Sequence, residues 1–124
     1  MKQLNCIRLE ADLQQITACK QTLQDFDFSF NLLANAFNLV GNPVRLKILF
    51  LLWQEKHLCV CDLSDVLNMK VAAISQHLRK LKDRQMIVPS RDAQTIYYSL
   101  TKEYKQLFEP FFIRIKANNI LETV

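Results

Sequence analysis

Between Leu58 and Lys82 the chain carries two short helical patterns separated by a tight turn, and few folds accommodate that arrangement. Asp62 suits an N-cap for Leu63–Leu67, Asp65 sits in the favourable first turn, and Asn68-Met69-Lys70 makes the break. A second helix is predicted from Val71 to about Arg84, with Val71, Ile74, Leu78 and Leu81 sharing one face. Its other face presents Ala72, Gln76, Arg79 and Lys80, with Ser75 at the edge. A buried helix followed by one with a polar, basic face reads as helix-turn-helix. Lys70–Arg84 holds five basic residues and one acid, a local excess that matches the +4 of the whole chain. Charge concentrated in one helix points to nucleic acid more strongly than a modest overall excess does.

The flanking sequence supplies the rest of a small domain. Residues 1–11 have no period and are expected to form a flexible arm. From Asp12 a helical pattern runs through Leu13, Ile16 and Leu23, and Asp27 suits an N-cap for Phe28–Val40. Phe30, Leu33, Phe37 and Val40 recur at helical spacing there, and Gly41 supplies the stop. Whether residues 12–40 form one bent helix or two is left open by the pattern. Asn42-Pro43 then marks a helix start, since Asn caps well and Pro at the first position has no amide proton to waste. From Pro43 to about Gln54 the pattern is apolar nearly all round, as in a central buried helix. Arg45 and Lys47 near its start oppose the macrodipole and read as exposed, solubilising charges, with a phosphate contact as the alternative. After the basic helix, β-branched and aromatic runs flank Asp92-Ala93, predicting a hairpin over about 86–100, with Pro89 on an edge strand. A hairpin directly behind a recognition helix is a wing. Thr101 is expected to cap a last helix reaching about Asn118, in which Pro110 should cost a hydrogen bond and cause a kink or restart. Leu107, Phe108, Phe111, Phe112 and Ile115 give that helix more apolar surface than a small domain needs at its end.

Composition sets bounds on function. A chain of 124 residues, half of them hydrophobic, supports one domain with a real core. A single Gly argues against a Gly-rich phosphate loop. The longest apolar run, Ile48–Trp53, is too short to span a bilayer, and no basic-then-apolar leader opens the chain, so a cytoplasmic protein is expected. In that compartment the four cysteines, at 6, 19, 59 and 61, suggest metal binding or redox chemistry more than structural disulfides.

Cys59-Val60-Cys61 is the sharpest of these features. In a continuing helix residues two apart point away from each other, so both sulfurs meet one ion only at a helix start or in a loop. The first turn of a helix also favours the thiolate, the form that binds metal. Alternatives are a pair of buried structural cysteines, or a redox switch through a disulfide or sulfenate, the former strained at this spacing. A thiol enzyme would want an acid–base partner, and only His57 stands nearby, so catalysis is not expected. Two thiolates are too few to close a soft-metal site, which leaves Cys6, Cys19 and His57 as further candidates.

Several independent motifs share one resemblance: Leu33-Ala34-Asn35-Ala36-Phe37, Gly41-Asn42-Pro43-Val44-Arg45-Leu46-Lys47-Ile48-Leu49, Leu58-Cys59-Val60-Cys61-Asp62-Leu63, Ile74-Ser75-Gln76-His77-Leu78-Arg79-Lys80-Leu81 and Ile96-Tyr97-Tyr98-Ser99-Leu100. From about Leu33 to Tyr104 the chain resembles the ArsR/SmtB family of metal-responsive winged-helix repressors. The resemblance implies a mainly α fold with a small β-hairpin: a winged helix-turn-helix over residues 12–124, with the helix-turn-helix at about 62–84. It implies a homodimer, paired through N- and C-terminal helices (the last at about 101–118). Such a dimer binds double-stranded operator DNA when metal-free and lets go when a thiophilic ion binds. Cys59 and Cys61 fall where thiolate-sensing members hold metal, and in cadmium- and lead-responsive members an N-terminal cysteine of the partner completes the site. Cys6 and Cys19 are the corresponding candidates here, at a spacing wider than those members show, and Cys19 reads equally as a buried cysteine on a helix face. Cd, Pb, Hg, As(III) or Zn suit such ligands. A second, zinc site on the final helix is rejected, because residues 101–124 contain neither His nor Asp. For DNA, Ser75, Gln76 and Arg79 are candidate base-edge readers, while Lys70, Lys80 and Arg91 are candidate phosphate contacts. His77 is expected at the core edge, bonded to backbone. The family's wing tip often carries Gly, and Asp92-Ala93 does not.

Overall fold

The computed structural model describes residues 5–121. In chain order its elements are α1 Leu13–Asp25, α2 Asp27–Val40, α3 Pro43–Glu55, β1 Leu58–Cys59, α4 Val60–Leu67, α5 Val71–Asp83, β2 Ile87–Asp92, β3 Thr95–Leu100 and α6 Lys102–Lys116. By internal packing the chain parts into two units, Met1–Asn35 and Ala36–Val124.

In the first unit, residues 5–12 carry no helix or strand. Asp12 caps α1, its carboxylate accepting from the Gln15 amide at 3.0 Å. The open question over residues 12–40 resolves into two helices that meet at Phe26. Phe26 leaves helical geometry, yet its carbonyl still accepts from the Phe30 amide at 3.0 Å. Asp27, expected as the cap of α2, is therefore its first helical residue. There its charge complements the helix dipole, and it accepts from the Asn31 side chain at 3.2 Å. No residue of α1 is buried.

The second unit is built on α3. Asn42 caps it as expected, its side-chain oxygen accepting from the Val44 and Arg45 amides at 2.9 and 3.1 Å, with Pro43 at the start. Ile48, Leu49 and Leu52 are buried, and Ile74, Leu78 and Leu81 of α5 join them with Leu63, Met86, Ile87, Phe108 and Phe112 in one core. Val71, expected on the same stripe of α5, is 45% exposed, because the first residue of the helix projects past the core. Phe30, Leu33 and Phe37 of α2 are likewise exposed, and only Ala36 and Val40 of that helix are buried. Gly41 ends α2 without a positive φ. Its role is space: a Cβ there would lie 3.2 Å from the Phe37 carbonyl oxygen.

The sheet has the order β1-β3-β2, all antiparallel, so Pro89 does lie on an edge strand. β1 pairs Leu58 with Tyr98 and Cys59 with Tyr97, adding a third strand to the expected two. The hairpin turn is Ala93-Gln94, one residue later than expected, with Asp92 facing Thr95. Thr101 precedes α6 but does not cap it with its side chain. Its hydroxyl instead donates to the Gln85 and Met86 carbonyls at 2.9 and 3.2 Å, fastening the base of the wing. α6 runs through Pro110 without a restart. Pro110 and Gln106, the residue whose carbonyl loses its partner, are both exposed, so water can serve that carbonyl.

Candidate nucleic-acid interface and thiol pair

The turn between α4 and α5 is short because Asn68 accepts the left-handed conformation that ends α4 (φ 54°, ψ 49°). The Met69 amide returns to the Ser64 carbonyl at 3.1 Å, and the Ser64 hydroxyl donates to the Met69 carbonyl. Lys70 then stands at the N-cap of α5 without a capping side chain. Packing of Ile74, Leu78 and Leu81 into the core turns the opposite face outward. Lys70, Ser75, Gln76, Arg79 and Lys80 are all exposed on α5, and Arg91 is exposed on β2, the strand that follows it. A helix of this kind, long-chained and positive on one side, offers hydrogen-bond donors to base edges and phosphates.

The thiol pair sits at a helix start, one step removed from the expected geometry. α4 begins at Val60, so Cys59 is its N-cap in extended conformation (φ −92°, ψ 171°) and Cys61 lies in the first turn. Asp62 is not the cap but its reciprocal partner: the Cys59 amide donates to the Asp62 carboxylate at 3.2 Å. Hydrogen bonds from the Cys59 thiol first, then from its amide, hold the Asp62 carboxyl below the usual range, with the nearby His57 assisting. All four cysteines are free; Cys59 is half-buried and Cys61 exposed. Chain entry to this point is tight. Lys56 takes φ 71° and ψ −46°, and the His57 amide bonds back to the Glu55 carbonyl at 2.9 Å, a γ-turn that delivers the chain from α3 into β1. The His57 ring meets Tyr97 edge-on with centroids 4.9 Å apart.

Cys6, before α1, and Cys19, within it, are exposed and belong to the unit Met1–Asn35. Among the described residues no three His, Cys, Asp or Glu side chains converge as a metal site. Cys59 and Cys61 thus offer two soft donors on one helix end, which suits a thiophilic ion that takes its remaining ligands from elsewhere.

Two features escaped the sequence. One is β1: a two-residue strand has no period to detect, yet it hydrogen-bonds Cys59 to the wing. The other is Arg45, which is half-buried and not a solvated charge. Its Nε donates to the Leu39 carbonyl at 2.7 Å, and its guanidinium approaches Nδ1 of His77 at 3.4 Å. His77 therefore bonds to a side chain rather than to backbone, and burial first, then the Arg45 and Lys80 charges, push its pKa down.

The model for "Bacterial regulatory protein, arsR family" matches residues 42–87, a span covering the whole helix-turn-helix. The chain is 36% identical over 81 residues to a cadmium resistance transcriptional regulatory protein CadC homolog of Staphylococcus aureus, covering 64% of this chain and 67% of that one. Reduced HlyU from Vibrio cholerae N16961 is 30% identical with a TM-score of 0.66, covering 72% of this chain and 94% of that structure. The homodimeric winged helix-turn-helix domain of Mb0332 from Mycobacterium bovis, described as a possible ArsR-family regulator, has a TM-score of 0.64 at 23% identity, covering 78% and 88%. That last likeness is one of fold.

Proposed function

Because the chain belongs to the ArsR family of DNA-binding bacterial transcriptional regulators, we propose that it is a cytoplasmic homodimeric repressor released from operator DNA by a thiophilic metal ion. In this reading α5 enters the major groove, with Ser75, Gln76 and Arg79 at base edges and Lys70, Lys80 and Arg91 on phosphates. Cys59 and Cys61 hold the ion together with an N-terminal thiolate, for which Cys6 and Cys19 are the candidates. Three thiolates suit arsenite, Hg or Pb, and four suit Cd, Pb or Zn. The cadmium-resistance relative and the thiol content favour this group of ions over hard cations.

One observation carries the reading. Cys59 is at once the N-cap of the first helix of the helix-turn-helix and the strand partner of Tyr97 in the wing. An ion that pulls on Cys59 acts on both DNA-facing elements together. The ion must then favour the released form, and by linkage DNA weakens ion binding by the same factor.

The test is operator binding by anisotropy under strict reduction, with Cd, Pb, Hg, arsenite and Zn salts added in turn. Release is expected with at least one ion, and Cys59→Ser and Cys61→Ser should each abolish it while keeping metal-free binding. The thiolate-to-metal absorption band of each Cys→Ser variant counts the ligands, Cys6 and Cys19 included. An operator complex indifferent to every ion sinks the proposal. A thiol redox switch is the second reading, favoured by the free thiols and by the relative described in its reduced form. Release by oxidant alone, with none by metal, would establish it instead.

A further inference from the structure

Leu39 is the next-to-last residue of α2, and its carbonyl has no partner of its own. The donor four residues on is Pro43, which has no N–H. Arg45 fills that gap from the first turn of α3: its Nε donates to the Leu39 oxygen at 2.7 Å, short for an N–H···O bond. The same planar guanidinium reaches His77 of α5, Nη1 to Nδ1 at 3.4 Å. A guanidinium only donates, so Nδ1 must accept, and the single proton of the neutral ring then resides on Nε2. The neighbouring residue on one side of His77 is Gln76, a candidate base reader, and two residues on lies Arg79, another.

We infer that Arg45 is a positioning residue for DNA recognition, tying the C-terminus of α2 to the recognition helix through His77. A fork of fixed geometry holds two acceptors at a set separation, which a lysine ammonium on a flexible stem does not reproduce. Core packing of Ile74, Leu78 and Leu81 sets which face of α5 is outward, and the clamp adds a tie from that helix to the end of α2 that steadies where Gln76 and Arg79 fall along the groove. The charged groups facing His77 are Arg45 from α3 and Lys80 from its own helix. A proton on His77 removes the acceptor and sets a third positive charge beside these two, so acid opens the clamp. The inference rests on the reading of α5 as the base-contacting helix.

Its test has one arm without DNA. In ¹⁵N imidazole spectra of the full chain, His77 should be the Nε2–H tautomer with a pKa below the ordinary value of about 6.5. Arg45→Lys and Arg45→Gln should each shift both the Nδ1 resonance and the pKa. The second arm measures operator and scrambled-duplex affinity from pH 7.5 down to pH 5.5. Arg45→Lys keeps the charge and should lose roughly ten- to hundredfold in operator affinity, the worth of hydrogen bonds from a charged donor, with scrambled-duplex affinity unchanged. Wild-type preference for the operator should fall as pH drops through the His77 titration, and His77→Gln, which keeps an acceptor but cannot titrate, should flatten that fall. An Nδ1 signal and pKa that ignore Arg45→Lys overturn the clamp, as does an Arg45→Lys variant with wild-type preference and pH profile. If wild type itself fails to prefer its operator, the proposed function falls, and the imidazole spectra still decide whether the clamp exists.

Discussion

The two units of the chain bury their apolar residues differently. Every buried apolar side chain among the described residues belongs to Ala36–Val124, where α3, α5 and α6 enclose Ile48, Leu49, Leu78 and Phe112. In Met1–Asn35 the apolar positions recur at the same helical spacing, yet Leu13 is 71% exposed, Leu23 57% and Phe28 77%. The same periodicity thus signals a core in one unit and an unspent surface in the other. Periodicity reports which residues share a face; it does not report what that face meets. Exposed apolar residues at helical spacing suit the dimer that the family resemblance implies, paired through N- and C-terminal helices.

Paired truncations sharpen this contrast most. Phe112 is fully buried, packed edge-on to Phe50 at 5.6 Å between centroids and close to Trp53 and Phe108. Phe112→Ala should cost about 3–5 kcal/mol of unfolding free energy by removing transfer energy and leaving a cavity. Phe28→Ala should cost less than about 0.5 kcal/mol in the monomer, as surface changes do, while shifting sedimentation equilibrium toward monomer. Urea unfolding at several protein concentrations separates the two effects. If Phe28→Ala destabilised the dilute monomer as much as Phe112→Ala, the division between closed core and unspent face would be wrong.

A smaller effect is expected where α3 meets α6. The Trp53 indole donates to the Glu109 carboxylate at 2.7 Å, and both residues are half-buried. Replacing Glu109 with Ala leaves the indole N–H without that partner, so a loss of about 1–2 kcal/mol is expected. Trp53 is the sole tryptophan, so its emission reports the change directly. A red shift with lowered stability is the expected outcome, and an unchanged spectrum would break this contact.

Much of the second unit was legible because its determinants are local. The Asn42-Pro43 start, the all-round apolar α3, the tight turn at Asn68-Met69-Lys70 and the edge placement of Pro89 each depend on a few adjacent residues. What escaped depends on distant ones. Arg45 and His77 stand 32 residues apart, and no window on the sequence relates them. Thr101 looked like a cap because hydroxyls usually cap, but tertiary structure offered it the Gln85 and Met86 carbonyls instead. The start of α4 was misplaced because Cys is an unusual N-cap, so the carboxylate of Asp62 drew the assignment to itself. The candidate thiol site was legible in its pair, Cys59 and Cys61, and illegible in its link to Tyr97 through β1.

The smallest predicted effect lies at the wing tip, where sequence and geometry are in local conflict. Ala93 opens the two-residue turn with φ 57°, a conformation in which its Cβ crowds the backbone. Glycine adopts it freely, so Ala93→Gly removes a native-state strain of about 1 kcal/mol. Glycine also enlarges the unfolded ensemble, which takes back roughly 0.4–1 kcal/mol. The two terms nearly cancel, and a gain of at most about 0.6 kcal/mol in urea unfolding is expected from their difference. The same substitution loosens the hairpin that carries Arg91, so if Arg91 holds a phosphate, operator affinity should fall slightly while stability holds or rises. A clear loss of stability in Ala93→Gly would mean that the turn is not left-handed at this residue.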